Sequence, residues 1–236
     1  MKLQDISTVI LAGGFGMRLR AVVADRPKPL APVGGRPFIE YLLDQLVLAG
    51  ARHAVISTGY MAEQVQHALA DSYGPLRIEY SPEVDPLGTG GAVRLALPLC
   101  HGDCLLVMNG DSYCDVSLPD YLLWHAQQRA EASLVLVRAP DCSRFGRVET
   151  SHDGRVIAFG EKSGSGSGWI NAGIYLLSRR LVESIPTHRP VSLEREVFPA
   201  WTDGRLVGFR SPGKLIDIGT PTSYTEAQAK FSRSAT

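Results

Sequence analysis

Short apolar runs alternate with segments of helical periodicity through the first two thirds of the 236-residue chain, and this alternation constrains the fold most. Thr8 to Ala12 reads as a first strand, ended by Gly13-Gly14. Pro37 opens a helix in which Phe38, Tyr41, Leu42, Leu46 and Ala49 keep helical spacing, and Gly50 closes it. The rhythm continues with a strand from His53 to Ser57, a helix from Ala62 to Ala70 and a strand from Arg77 to Tyr80. A helix from Gly91 to Leu99 then leads to a strongly apolar strand from Cys104 to Met108. Repeated β-α units predict a mainly parallel sheet with helices on both faces, because each crossover must return over the sheet and cover it.

The later third changes pattern. Ser133 to Val137, Arg147 to Glu149, Val156 to Phe159 and Trp169 to Leu176 read as strands, the middle two joined as a hairpin through Ser151-His152-Asp153-Gly154. Ser192 caps a helix from Leu193 to Trp201, and Thr220 with Pro221 opens a last one. Ser163 to Gly168 holds only serine and glycine and is predicted to be a flexible surface loop. The expected class is α/β, with a Rossmann-like mixed sheet and antiparallel additions. At roughly 150 residues per domain with generous spread, residues 1–236 are expected to form one domain.

Composition removes several classes of function. Lys+Arg and Asp+Glu number 24 each, so the basic excess needed for phosphate-backbone binding is missing and nucleic acid is not an expected partner. No apolar stretch approaches the roughly 18 residues of a membrane span, so no membrane association is expected. Cys100, Cys104, Cys114 and Cys142 lack C-x-x-C spacing, which predicts buried reduced thiols and a cytoplasmic setting. Homo-oligomerisation is left open.

Ligands in open parallel sheets gather beyond the carboxyl ends of the strands. The first strand ends there in Leu11-Ala12-Gly13-Gly14-Phe15-Gly16-Met17-Arg18-Leu19. Glycines let main-chain N–H groups approach an anion closely, and Arg18 can fork two phosphate oxygens. A tight turn with a surface arginine is the plainer reading of the same residues. No G-x-x-x-x-G-K-[ST] occurs, and Leu19 occupies the position where a dinucleotide fingerprint needs a third small residue. In Asp25-Arg26-Pro27-Lys28-Pro29 the prolines hold Lys28 on a stiff extended strip, where it can act as a second cation. Asp111 follows the Cys104–Met108 strand, and Asp217 ends another apolar run. Two carboxylates beside phosphates suit Mg²⁺, although each alone fits a turn or cap equally well. Glu161, Lys162 and Asn171 have the hydrogen-bonding capacity to hold a second, sugar-phosphate substrate.

These segments, together with Pro86-Leu87-Gly88-Thr89-Gly90-Gly91-Ala92 and Asn109-Gly110-Asp111, follow the order found in sugar-1-phosphate nucleotidylyltransferases, and the chain resembles that family from about Thr8 to Gln228. Arg20-Ala21-Val22-Val23, Asp25-Arg26-Pro27-Lys28-Pro29 and Ser143-Arg144-Phe145-Gly146 look most like the D-glycero-D-manno-heptose 1-phosphate guanylyltransferases. The resemblance implies a Mg²⁺-dependent reaction in which NTP, with GTP favoured, and a sugar 1-phosphate give NDP-sugar and pyrophosphate. It further implies that Leu11, Ala12, Gly13, Gly14, Gly16, Arg18, Lys28, Pro86, Gly88, Thr89 and Asp111 contact the nucleotide. Asp111 and Asp217 would bind the metal, and Gly146, Glu161, Lys162 and Asn171 the sugar phosphate. Arg18, Lys28 and Lys162 would carry catalysis. Met17 stands where Thr is usual, Ser163 replaces a common Pro, and Arg147 follows Gly146 where an apolar residue is frequent. The C-terminal β-helix of some relatives is not expected. Uridylyl or thymidylyl transfer and mannose 1-phosphate guanylyl transfer are the alternatives within the family, with a glycosyltransferase or an inert nucleotide-sugar binder further away.

Overall fold

Ser-Thr-Val-Ile-Leu near the start of the chain forms β1 (Ser7–Leu11), a strand flanked on both sides by parallel neighbours. The computed structural model describes residues 1–160 and 166–232. After β1 come a small hairpin, β2 (Pro32–Val33) and β3 (Arg36–Pro37), then α1 (Phe38–Leu48) and β4 (His53–Thr58). α2 (Ala62–Leu69), β5 (Ser72–Tyr73), β6 (Leu76–Pro82) and α3 (Gly88–Ala96) lead to β7 (Cys104–Asn109) and β8 (Ser112–Cys114). α4 (Leu118–Gln128), β9 (Ala132–Ala139), β10 (Val148–Thr150), β11 (Val156–Phe159), β12 (Gly168–Ser178) and α5 (Arg179–Glu183) follow. A π-helical turn at Leu193–Val197 runs into α6 (Phe198–Ala200), and β13 (Leu206–Ser211), β14 (Leu215–Asp217) and α7 (Pro221–Ser232) come last.

Eight strands form one sheet in the order β13-β9-β12-β7-β1-β4-β6-β5. β1 is parallel to β4 and β7, β4 to β6, and β9 to β13, whereas β12 runs antiparallel between β7 and β9. The expected mixed, mainly parallel sheet is therefore present, and β10 and β11 form the expected hairpin. From β1 the chain moves outward through β4 and β6, then returns to β7 on the other side of β1. Such a reversal leaves a crevice beyond the strand ends. Leu11 is in register with both Ser57 and Asn109, so the ends of β1, β4 and β7 stand level there.

Both faces of the sheet are covered. Val9 and Ile10 are fully buried yet belong to different clusters, because successive strand residues point to opposite faces. Ile10 packs in the cluster holding Leu42 and Leu46 of α1 and Tyr121 of α4, and Val9 in that holding Val93 of α3 and Phe198. Truncating a buried leucine such as Leu42 to alanine costs about 2–5 kcal/mol. A third cluster of Leu19, Val23, Val33, Phe38, Ile218 and Ala227 lies beneath the segment after β1 and ties it to β14 and α7.

Boundaries shift in three places. Pro37 is the N-cap of α1 and Phe38 its first residue. α3 starts at Gly88, not Gly91, with the N–H groups of Gly90 and Gly91 on the Val191 carbonyl, so tertiary contact overrides the poor helix propensity of glycine. The segment after Ser192 is capped as expected, Ser192 Oγ accepting the Arg195 N–H at 3.2 Å. It opens as a π turn with the Phe198 N–H on the Leu193 carbonyl, and Pro199 has no N–H to continue a regular ladder.

Candidate active site

β1 gives way to a turn built on glycine. Gly16 adopts φ +59°, a left-handed conformation that disfavours side chains, and its carbonyl accepts the N–H groups of Leu19 and Arg20 at 2.9 and 3.2 Å. The resulting helical turn sinks Leu19 into the third cluster and leaves Gly14, Phe15, Met17 and Arg18 exposed. Arg18 makes no hydrogen bond or ion pair among the described residues. A β-carbon on Gly13 would stand 2.6 Å from Glu83 Oε1. Leu11, Ala12, Gly13, Gly14, Gly16, Arg18, Lys28, Pro86, Gly88, Thr89 and Asp111 all line a single cleft of ≈ 560 Å³. It opens at the strand-order reversal, and every nucleotide-contacting residue named from the sequence borders it.

The two aspartates converge through the backbone. β14 pairs antiparallel with β8 so that Asp217 opposes Ser112, and the Ile218 N–H donates to the Asp111 carbonyl at 3.0 Å. Gly219 is ringed by charge. A β-carbon there would lie 2.7 Å from Asp217 Oδ2, 3.5 Å from Lys28 Nζ and 3.6 Å from Arg18 Nη2. Lys28 forms an ion pair with Asp111. Asp217 Oδ2 accepts the Gly219 N–H at 2.9 Å and the Ser223 hydroxyl at 3.2 Å, while Oδ1 accepts from Arg144 Nη2 at 3.1 Å. Asp217 thus fills the turn role open to it through Oδ2, while Oδ1 is paired with Arg144. Asp111 lines the cleft, whereas Asp217 does not and lies behind Gly219, which does; together the two carboxylates fit a divalent cation that takes its remaining ligands from phosphate and water. No group of three or more metal-binding side chains occurs among the described residues.

Gly146, Asn171 and Asp217 do not line this cleft. The Asn171 amide donates to the Tyr175 hydroxyl at 2.9 Å, and its oxygen accepts the Gly173 N–H at 2.8 Å. Tyr175 donates in turn to Glu194 Oε1 at 3.3 Å, and Thr89 of the cleft donates to Glu194 Oε2 at 2.8 Å. Asn171 is thereby connected to the cleft through two intermediaries. Glu161 and Lys162 lie outside the described residues, as do the first three residues of the Ser163–Gly168 tract.

Sequence reasoning missed Glu83, Ser57 and the use of Asn109. Glu83 follows β6, and its carboxylate enters the cleft with Oε2 accepting the Leu87 N–H at 2.8 Å and Oε1 the Ser57 hydroxyl at 3.2 Å. Its position depends on the β4–β6 register, for which no local signal exists. Asn109 borders the cleft with a buried Oδ1 that has no partner among the described residues. All four cysteines are free and buried. Burial pushes the thiol of Cys100 up to about 11 and those of Cys104 and Cys114 up to about 12, so none of these three is a thiolate nucleophile near neutral pH. No helix among the described residues is long and apolar enough to cross a membrane.

The chain is 36% identical over 99% of its length to the mannose-1-phosphate guanylyltransferase of Mycobacterium tuberculosis, of which it spans 66%. It is 35% identical over 96% of its length to the D-glycero-alpha-D-manno-heptose 1-phosphate guanylyltransferase of Aneurinibacillus thermoaerophilus, spanning 98% of that protein. The crystal structure of HddC from Yersinia pseudotuberculosis superposes with a TM-score of 0.86 at 32% identity, covering 96% of this chain and 99% of that one, and HddC has also been solved complexed with GMP-PN. Residues 7–234 match the nucleotidyl transferase family, and the chain belongs to it.

Proposed function

We propose that the protein transfers a guanylyl group from GTP to a sugar 1-phosphate, D-glycero-D-manno-heptose 1-phosphate being the favoured acceptor, and releases pyrophosphate. The observation that carries this reading is that Arg18, Lys28, Asp111 and Gly219 line one cleft beyond β1 and β7, with the Asp217 carboxylate directly against Gly219. A phosphate oxygen of the sugar 1-phosphate attacks the α-phosphorus of GTP, the bond from that phosphorus to the bridging oxygen breaks, and pyrophosphate departs with the electron pair. Both reactants are anions, and such transfers depend on positioning and charge stabilisation instead of an enzyme nucleophile. N–H groups of the glycine turn and the Arg18 guanidinium hold the triphosphate, and Lys28 meets its phosphates once released from Asp111. Enzymes of this family typically use a divalent metal. Asp111 and Asp217 would hold Mg²⁺, which supplies charge neutralisation on the phosphates when bound. Gly146, Glu161, Lys162 and Asn171 are proposed for the sugar phosphate, with Lys162 orienting the attacking oxygen. The free buried cysteines support a reducing compartment such as the cytoplasm.

Glu83 supports guanine. A carboxylate in the cleft presents two acceptors to the adjacent N1–H and N2–H donors of guanine, whereas the carbonyl oxygens of uracil or thymine would face it with like polarity. Mannose 1-phosphate is the second reading, favoured by the match to the mycobacterial enzyme. Pyrophosphate release from a grid of GTP, ATP, UTP and dTTP against heptose, mannose, glucose and N-acetylated sugar 1-phosphates tests the proposal. GTP with heptose 1-phosphate is expected to react fastest. Faster turnover with mannose 1-phosphate would establish the second reading, and absence of pyrophosphate in every well would overturn both.

A further inference from the structure

Arg144 sits in the loop after β9, two residues before Gly146, with its guanidinium 5.2 Å from the Phe145 ring centre. The oxygens of its partner Asp217 are unequally committed. Oδ2 is fixed by the Gly219 N–H and the Ser223 hydroxyl and is only a distant second contact for Arg144, at 3.5 Å. Oδ1 has Arg144 as its one hydrogen-bond partner among the described residues, at 3.1 Å. A divalent cation taking Asp217 would bind most readily at Oδ1, the oxygen the guanidinium occupies. The ion pair is partly open to solvent, with the Arg144 side chain 44% and the Asp217 side chain 18% exposed, and the guanidinium can exchange from its exposed side. A displaced Arg144 would remain on a loop beside the same cleft margin, carrying a planar fork that matches phosphate oxygens in a way an ammonium cannot.

We propose that Arg144 is an exchangeable countercharge. It neutralises Asp217 until a divalent cation takes that carboxylate, then turns its fork onto the phosphate of the incoming sugar 1-phosphate. The proposal rests on Asp217 being a metal ligand, and it makes a signature that a purely structural ion pair lacks: removing Arg144 strengthens the binding of one component and weakens that of another.

The test measures Mn²⁺ binding to the nucleotide-free protein by electron paramagnetic resonance, alongside steady-state kinetics with Mg²⁺ and GTP. Arg144→Ala is expected to bind Mn²⁺ about three- to fivefold more tightly than the parent protein and to raise KM for the sugar 1-phosphate tenfold or more. Arg144→Lys should recover less than half of that KM effect. Asp217→Asn should weaken Mn²⁺ binding, and adding Arg144→Ala to it should restore nothing. Unchanged Mn²⁺ affinity in Arg144→Ala, with Asp217→Asn still weakening it, would overturn the exchange while leaving the metal assignment intact. Mn²⁺ binding indifferent to both Asp217→Asn and Asp111→Asn, or undetectable at millimolar metal, would overturn the metal assignment and the exchange with it. Tighter Mn²⁺ binding with an unchanged sugar-phosphate KM would overturn the phosphate contact.

Discussion

Gly13 and Glu83 leave no room for a side chain between them, since a β-carbon on Gly13 would stand 2.6 Å from Glu83 Oε1. The carboxylate is the end of a long side chain and can move, but only by leaving the Ser57 hydroxyl and the Leu87 N–H. Gly13→Ala is therefore expected to change thermal stability little while lowering kcat/KM for GTP about tenfold or more, equivalent to about 1.4 kcal/mol. Glu83→Gln should instead narrow the preference for GTP over UTP and dTTP. A Gly13→Ala enzyme with parental GTP kinetics would show that Glu83 has no part in nucleotide recognition.

Arg18 is exposed and pairs with no carboxylate among the described residues, so the fold does not depend on it. Arg18→Ala should lower kcat by roughly 10²–10³, the range seen when one preorganised donor to a developing charge is lost. The melting temperature should stay within a degree or two. A rate within a few-fold of the parent would contradict the role given to the guanidinium.

Tyr60 clamps the glycine turn from outside. Its ring lies 5.8 Å from that of Phe15 and beneath the Arg20 guanidinium at 4.3 Å, and its N–H reaches the Gly13 carbonyl at 3.4 Å. The two ring contacts together are worth about 1–2 kcal/mol. Tyr60→Ala should raise KM for GTP about five- to thirtyfold with a smaller change in kcat, and Tyr60→Phe, which keeps the ring, should behave like the parent. Equal impairment by both variants would shift the effect to the hydroxyl.

Acid should weaken the fold through His125. This side chain is 6% exposed, its Nδ1 lies 2.8 Å from Ser133 Oγ, and burial pushes its pKa down to about 4 from an ordinary 6.5. Between those values the unfolded chain binds a proton that the folded one refuses, so stability falls as pH drops from about 6.5 toward 4. The full loss amounts to about 3 kcal/mol. Denaturant melts across that interval should show the slope, and His125→Gln should flatten it. A parallel pH dependence in the variant would assign the slope to other groups.

The glycine turn, Lys28 and Asp111 were legible and line one cleft, as the rule about strand ends predicts, whereas Asp217 lies behind Gly219 and does not line it. The prolines do not hold Lys28 extended, since Lys28–Leu30 forms a 3₁₀ turn. Strand direction was less accessible, since hydrophobic alternation does not distinguish parallel from antiparallel, and β12 enters antiparallel between β7 and β9. α4 went unread although Ser117 accepts the Asp120 N–H at 3.3 Å and Pro119 lies in its first turn, which are ordinary start signals. β13 was missed because it is a short edge strand interrupted by Gly208. Glu83 and the Arg144–Asp217 pair arise from contacts between distant segments, where spacing along the chain is silent.

The hydrogen bond from Ile218 to Asp111 also orders events during synthesis. A ribosome releases the glycine turn and β7 early, yet Leu215–Asp217, which completes the acidic pair, emerges among the last strands. A nascent chain therefore lacks half of the proposed cation seat until Leu215–Asp217 has been made, and chemistry must wait for it.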